Sequence, residues 1–130
     1  MKNGEYLLDT NIVIALFAQE PSIIMRIGQV NSILIPAIVL GELYFGASQS
    51  ARSQENIARI QALQNQVPTI NVNEQTAVEY GQIKANLKKK GRPIPENDLW
   101  ISALAKQHGY IVASRDKHLL SIEEIQTEVW

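Results

Sequence analysis

The stretch EYLLDTNIVIALFA, residues 5–18, decides how this chain folds. Tyr6, Leu7 and Leu8 make a short apolar run that stops at an aspartate, Asp9, and the polar pair Thr10 and Asn11 follows. The second apolar run, residues 12–18, predicts a helix, because Pro21 closes it and Leu16, Phe17 and Ala18 carry no strand bias. The pattern is a buried strand, a sharp turn and a helix, with Asp9 at the strand's carboxyl end. In open α/β sheets that edge is where ligands bind. A carboxylate there is either a turn-former bonded to its own backbone or a ligand for something charged.

Working outward, residues 21–30 place Ile23, Ile24, Ile27 and Val30 at helical spacing behind a first-turn proline. Residues 32–35 read as a second buried strand ended by Pro36. Residues 37–48 then form a strongly apolar helix whose one acid is Glu42. Its neighbours three and four positions away are Ile38, Val39, Phe45 and Gly46, so the carboxylate shares a face with apolar groups. A charge so placed is costly unless it is paired or bound to metal; the alternative is a solvated glutamate on a helix that packs elsewhere.

An amphipathic helix, residues 53–66, turns Ile57, Ile60 and Leu63 inward, and residues 69–72 give a third short strand. Asn73 caps a helix running to Lys90, with Ala77, Tyr80, Ile83, Ala85 and Leu87 available for burial and Gly91 as its stop. The loop at residues 93–97 delivers Asp98 into the first turn of a helix over residues 99–108, where an aspartate also serves the helix dipole. Residues 110–113 are a fourth strand, followed by Ser114, Arg115 and Asp116, and residues 124–130 a short edge strand. The two histidines, His108 at a helix end and His118 in a loop, receive no role.

At 130 residues the chain has room for one domain, residues 1–130, with one core. A hydrophobic fraction of 45% argues against disorder. The absence of cysteine excludes disulfides and thiolate metal sites. No secretory signal opens the chain and no apolar run approaches the ~20 residues needed to span a bilayer, so a cytoplasmic protein with no membrane association is expected. The net charge of −1 hides a pattern: only three of the 13 acids are aspartates, and each falls where a strand ends or a helix begins. Lys84, Lys88, Lys89, Lys90 and Arg92 crowd one helix end. Such a run either complements the helix dipole or contacts phosphates.

This order of elements implies a three-layer α/β/α domain with a mainly parallel, four- to five-stranded central sheet. Asp9, Glu42, Asp98 and Asp116 then converge on one edge. Carboxylates crowded without cations repel by ~4 kcal/mol per close pair at an effective dielectric of 20. A divalent cation removes that cost. With no cysteine and no suitably placed histidine, oxygen ligands favour Mg²⁺ or Mn²⁺ over zinc. A phosphoacceptor receiver domain has a similar outline, but it needs an aspartate closing the third strand, where this chain has Val72 and Asn73.

The motifs LLDTN with Asp9, ELYFGA with Glu42, NDLWISALA with Asp98 and VASRD with Asp116 resemble those of PIN-domain ribonucleases, more narrowly toxins of the VapC type. The resemblance spans nearly the whole chain. It implies that Asp9, Glu42, Asp98 and Asp116 are the quartet that holds Mg²⁺, and that Asn11 and Ser114 arrange those carboxylates. Ser114 stands where threonine is more usual, and the hydroxyl is retained. Asp9 and Asp98 are expected as the most direct ligands, with Asp116 and Glu42 serving a second ion or a water. Cleavage of single-stranded RNA by metal-activated water, homodimerisation and neutralisation by a small antitoxin follow from the resemblance. Lys88, Lys89, Lys90 and Arg92 are the candidate RNA contacts. The other reading is a catalytically idle PIN-like module for binding RNA or protein; the complete quartet favours the enzyme.

Overall fold

The computed structural model describes residues 2–130. Five strands, β1 (Lys2–Leu8), β2 (Val30–Pro36), β3 (Thr69–Ile70), β4 (Ile111–Ser114) and β5 (Gln126–Val129), form one parallel sheet in the order β3-β2-β1-β4-β5. The opening stretch therefore supplies the central strand. Leu7 pairs with Leu34 on one side and Val112 on the other, and Leu7 and Leu8 have no exposure, as continuous apolar runs in parallel sheets require.

Six helices flank the sheet in an α/β/α arrangement: α1 (Thr10–Phe17), α2 (Pro21–Gln29), α3 (Ala37–Ser48), α4 (Ser53–Gln66), α5 (Glu74–Lys89) and α6 (Glu96–His108). A 3₁₀ turn, Lys117–Ser121, links β4 to β5. The most enclosed helix is α6, in which Leu99, Ile101, Ser102, Ala103, Leu104 and Ala105 are all buried. Such all-round burial marks a helix of the core, and full burial of Leu104 is worth about 2 kcal/mol. Ser102 meets this environment by donating its hydroxyl to the Asp98 carbonyl, 2.7 Å away. Gly109, at φ +73°, ends α6 in the left-handed conformation that glycine adopts without strain.

Two details differ from the sequence expectation. The buried side chains of α5 are Thr76, Ile83 and Leu87, while Ala77 and Ala85 face solvent. Thr76, at the reciprocal capping box with Asn73, is buried and its hydroxyl also donates to Gln107 of α6. Helix α6 begins at Glu96 rather than Leu99, with Pro95 as its N-cap, so Asp98 lies wholly inside the first turn. Among the described residues no helix is long and apolar enough to cross a membrane.

Candidate active site

Asp9 leaves the end of β1 with extended backbone and caps α1, its Oδ1 accepting the Thr10 N–H at 2.8 Å. Its own N–H donates to the Ala113 carbonyl of β4 at 3.0 Å. The second carboxylate oxygen, Oδ2, is left for other work, and it accepts the Ser114 hydroxyl at 2.6 Å. Turn-former and site carboxylate are thus the two halves of one side chain.

Ser114 ends β4 with no exposure and ties three segments through one oxygen. Besides donating to Asp9, its Oγ accepts from Asn11 Nδ2 at 3.4 Å and from the Asp116 N–H at 2.9 Å. Asn11 completes the link, its Oδ1 accepting the Arg115 N–H at 3.1 Å. The Arg115 side chain clamps the same loop from outside: its guanidinium meets both oxygens of Glu20 at 2.8 and 3.2 Å, and its Nε donates to the Trp130 carbonyl at 3.1 Å. That paired hydrogen bond holds the Glu20 carboxyl below its usual range. Sequence reasoning missed the clamp, because Glu20 and Arg115 lie far apart in the chain and Glu20 belongs to no motif.

Asp98, only 8% exposed, reports the crowding of the acids. Its pKa is pushed up to about 7, first by burial, then by a hydrogen bond with Asp116 and by the charges of Asp9, Asp116 and Glu42. The other three sequence-derived acids therefore all bear on Asp98 at the carboxyl edge of the sheet. Glu42, half-buried on α3, also lines a cleft of about 370 Å³ with Thr10, Ile14, Phe17, Leu43 and Arg59. Beside it the Thr10 hydroxyl is buried without a hydrogen-bond partner. A buried orphan of this kind awaits a water or a ligand.

His118, which received no role from the sequence, reaches the same place. One ligand atom each from Asp98, Asp116 and His118 lie within 4.8 Å of one another. Aspartate and histidine two residues apart after a buried strand were the available signal; the approach of Asp98 was not. The donor set fits a divalent cation: several carboxylates, one of them raised to about 7 by burial and by the neighbouring acids, and a buried hydroxyl without a partner.

The basic run divides. Lys84 pairs with Glu96 at 2.7 Å and Lys90 with Glu123 at 3.2 Å, whereas Lys88, Lys89 and Arg92 have no ion pair among the described residues. Lys84, Lys88 and Arg92 border a second cleft of about 370 Å³ floored by Leu87, Ile94 and Leu99.

Comparison with known proteins agrees with this architecture. The family model described as PIN domain matches residues 6–125. Ribonuclease VapC2 of Haemophilus influenzae is 34% identical over 129 residues, covering 97% of this chain and 98% of the relative. The tRNA(fMet)-specific endonuclease VapC of Shigella flexneri is 27% identical with the same coverage. Among solved structures, VapBC-1 from nontypeable Haemophilus influenzae superimposes with a TM-score of 0.89 at 32% identity, over 97% of this chain and 98% of that one.

Proposed function

This chain belongs to the PIN-domain family, and from that premise we propose that it is a metal-dependent ribonuclease that cleaves single-stranded RNA, the toxin of a toxin–antitoxin pair. The observation that carries the reading is Asp98, whose pKa is raised first by burial and then by Asp116, Asp9 and Glu42, all of which bear on it. A scaffold has no use for four mutually repelling carboxylates in one place. A site for a cation and a phosphodiester does.

In this reading Asp9, Asp98, Asp116 and Glu42 hold Mg²⁺ or Mn²⁺. When bound, the ion offsets charge developing on the phosphate and acidifies a water. The chain's own contribution is placement. Thr10 N–H and the Ser114 hydroxyl fix the two oxygens of Asp9, and Ser114 also holds the backbone of Asp116. Glu42, at the junction of the acids with the apolar cleft, orients the attacking water and accepts its proton. Lys88, Lys89 and Arg92 guide the strand by contacts to phosphates, which carry no base preference. Lys90, already paired with Glu123, contributes less.

The partner is a small antitoxin, and the cleft lined by Ile14, Phe17, Leu43 and Arg59 suits an apolar segment that would cover Glu42. The relative of known structure described above is itself a VapBC protein. We also propose a homodimer acting in the cytoplasm, where RNA is met; Phe45, 69% exposed on α3, is apolar surface available for contact, and light scattering of the purified chain measures the assembly directly. The test of the reading is RNA cleavage with and without divalent ion, in the wild type and in variants of the quartet. A catalytically idle binding module would hold RNA in that assay and leave it intact.

A further inference from the structure

We propose that His118 is an additional ligand of the cation centre and that its imidazole sets the choice of ion, favouring Mn²⁺ over Mg²⁺. The proposal rests on reading the carboxylate cluster as a cation site. It departs from the all-oxygen donor set that the sequence suggests.

The placement of His118 is built rather than incidental. Asp116 Oδ1 caps the 3₁₀ turn by accepting the His118 N–H at 2.9 Å. That bond brings the ring against the carboxylate, with Nδ1 3.1 Å from the same oxygen. The His118 carbonyl in turn accepts the Ser121 hydroxyl at 2.7 Å, and the next residue, Leu119, is anchored in the core with no exposure. Both polar groups of the His118 backbone are therefore held, and the imidazole hangs from a fixed point. Asp98 approaches the pair from α6, bringing three donor atoms within 4.8 Å of one another. The ring is largely open to solvent, which leaves it free to turn either nitrogen toward the cluster.

The chemistry follows from the donor types. Mg²⁺ is a hard ion that takes carboxylates and keeps several waters. An imidazole nitrogen adds little for Mg²⁺ and more for first-row transition ions, of which Mn²⁺ is the one that also accepts an oxygen-rich site. One histidine among four acids thus tilts the centre toward Mn²⁺ without excluding Mg²⁺.

The test is a binding measurement on the full chain, with His118→Gln as the variant, because it removes the ring and leaves the capping N–H in place. Free Mn²⁺ is followed by electron paramagnetic resonance, Mg²⁺ by its competition with Mn²⁺, and folding by thermal melting. The expected result is a Mn²⁺ affinity lower by roughly tenfold in the variant, with Mg²⁺ affinity changed less than about twofold. Pulsed resonance of the wild-type Mn²⁺ complex should show nitrogen coupling that the variant lacks. Unchanged Mn²⁺ affinity, an equal loss for both ions, or no nitrogen coupling in the wild type would overturn the role of His118. A wild-type chain that binds neither ion fails differently: it removes the cation site itself, and with it the proposed function.

Discussion

The hydroxyl of Ser114 donates a 2.6 Å hydrogen bond to Oδ2 of Asp9 across 105 residues of sequence, joining the ends of the two central strands at the acidic edge. Asp9 is thereby held at both oxygens and cannot turn away from its neighbours. Ser114→Ala removes this donor and also orphans the Asp116 N–H and Asn11 Nδ2. It is expected to lower stability by about 1–3 kcal/mol and cleavage or metal affinity by roughly 10–100-fold. Ser114→Thr, which keeps the hydroxyl, should retain most of both. Urea melts paired with cleavage rates decide it; a fully active Ser114→Ala variant would show that the bond is ornamental.

Asp98 makes the fold pH-sensitive in a defined direction. Its carboxyl titrates near 3.8 when unfolded and about 7 when folded, so the folded state binds the proton more tightly. The associated stability is fully present below pH 3.8 and is lost as pH rises through about 7. In chelator, the wild type should therefore weaken between pH 5 and about 8, whereas Asp98→Asn, which has no charge to expose, should be more stable by roughly 2–4 kcal/mol at the upper end. Melting curves across that range check the sign. A variant that melts earlier than wild type at pH 8 would make Asp98 a structural cap.

The basic run yields a prediction that separates free cations from paired ones. Each lost phosphate contact with a single strand flattens the plot of log affinity against log salt by roughly 0.7. Neutralising Lys88, Lys89 and Arg92 together should reduce the slope by about 2, while neutralising Lys90, which faces Glu123, should change it little. The rate at saturating RNA should stay near wild type in both. An unchanged slope in the triple variant returns these residues to a solvated helix end.

How much of this was legible in the sequence depended on the range of the interaction. Helix α3, Ala37–Ser48, was readable to the residue, because Pro36 and its apolar run are local signals. The same is true of Asp9, whose place at a strand end follows from the letters around it. The inward stripe of α5 was misread at Ala77 and Ala85, since the buried face includes the polar Thr76, whose hydroxyl meets Gln107 of α6, a partner that apolar spacing does not reveal. His118 could be placed beside Asp116 by spacing, yet its nearness to Asp98 arises only when α6 packs under β4. The Arg115–Glu20 clamp was invisible for the same reason: two surface charges acquire meaning only when folding brings the α1–α2 turn to the end of β4.

The central claim is that Asp9, Glu42, Asp98 and Asp116 form a metal-dependent centre for cutting RNA. Its most direct measurement follows single-stranded RNA with the wild type and Asp98→Asn, purified identically, in Mn²⁺, in Mg²⁺ and in EDTA. The account predicts cleavage by the wild type with either ion, arrest in EDTA, recovery when excess ion is restored, and none by Asp98→Asn under any condition. Cleavage by the wild type that persists in chelator, or equal cleavage by Asp98→Asn, would contradict it.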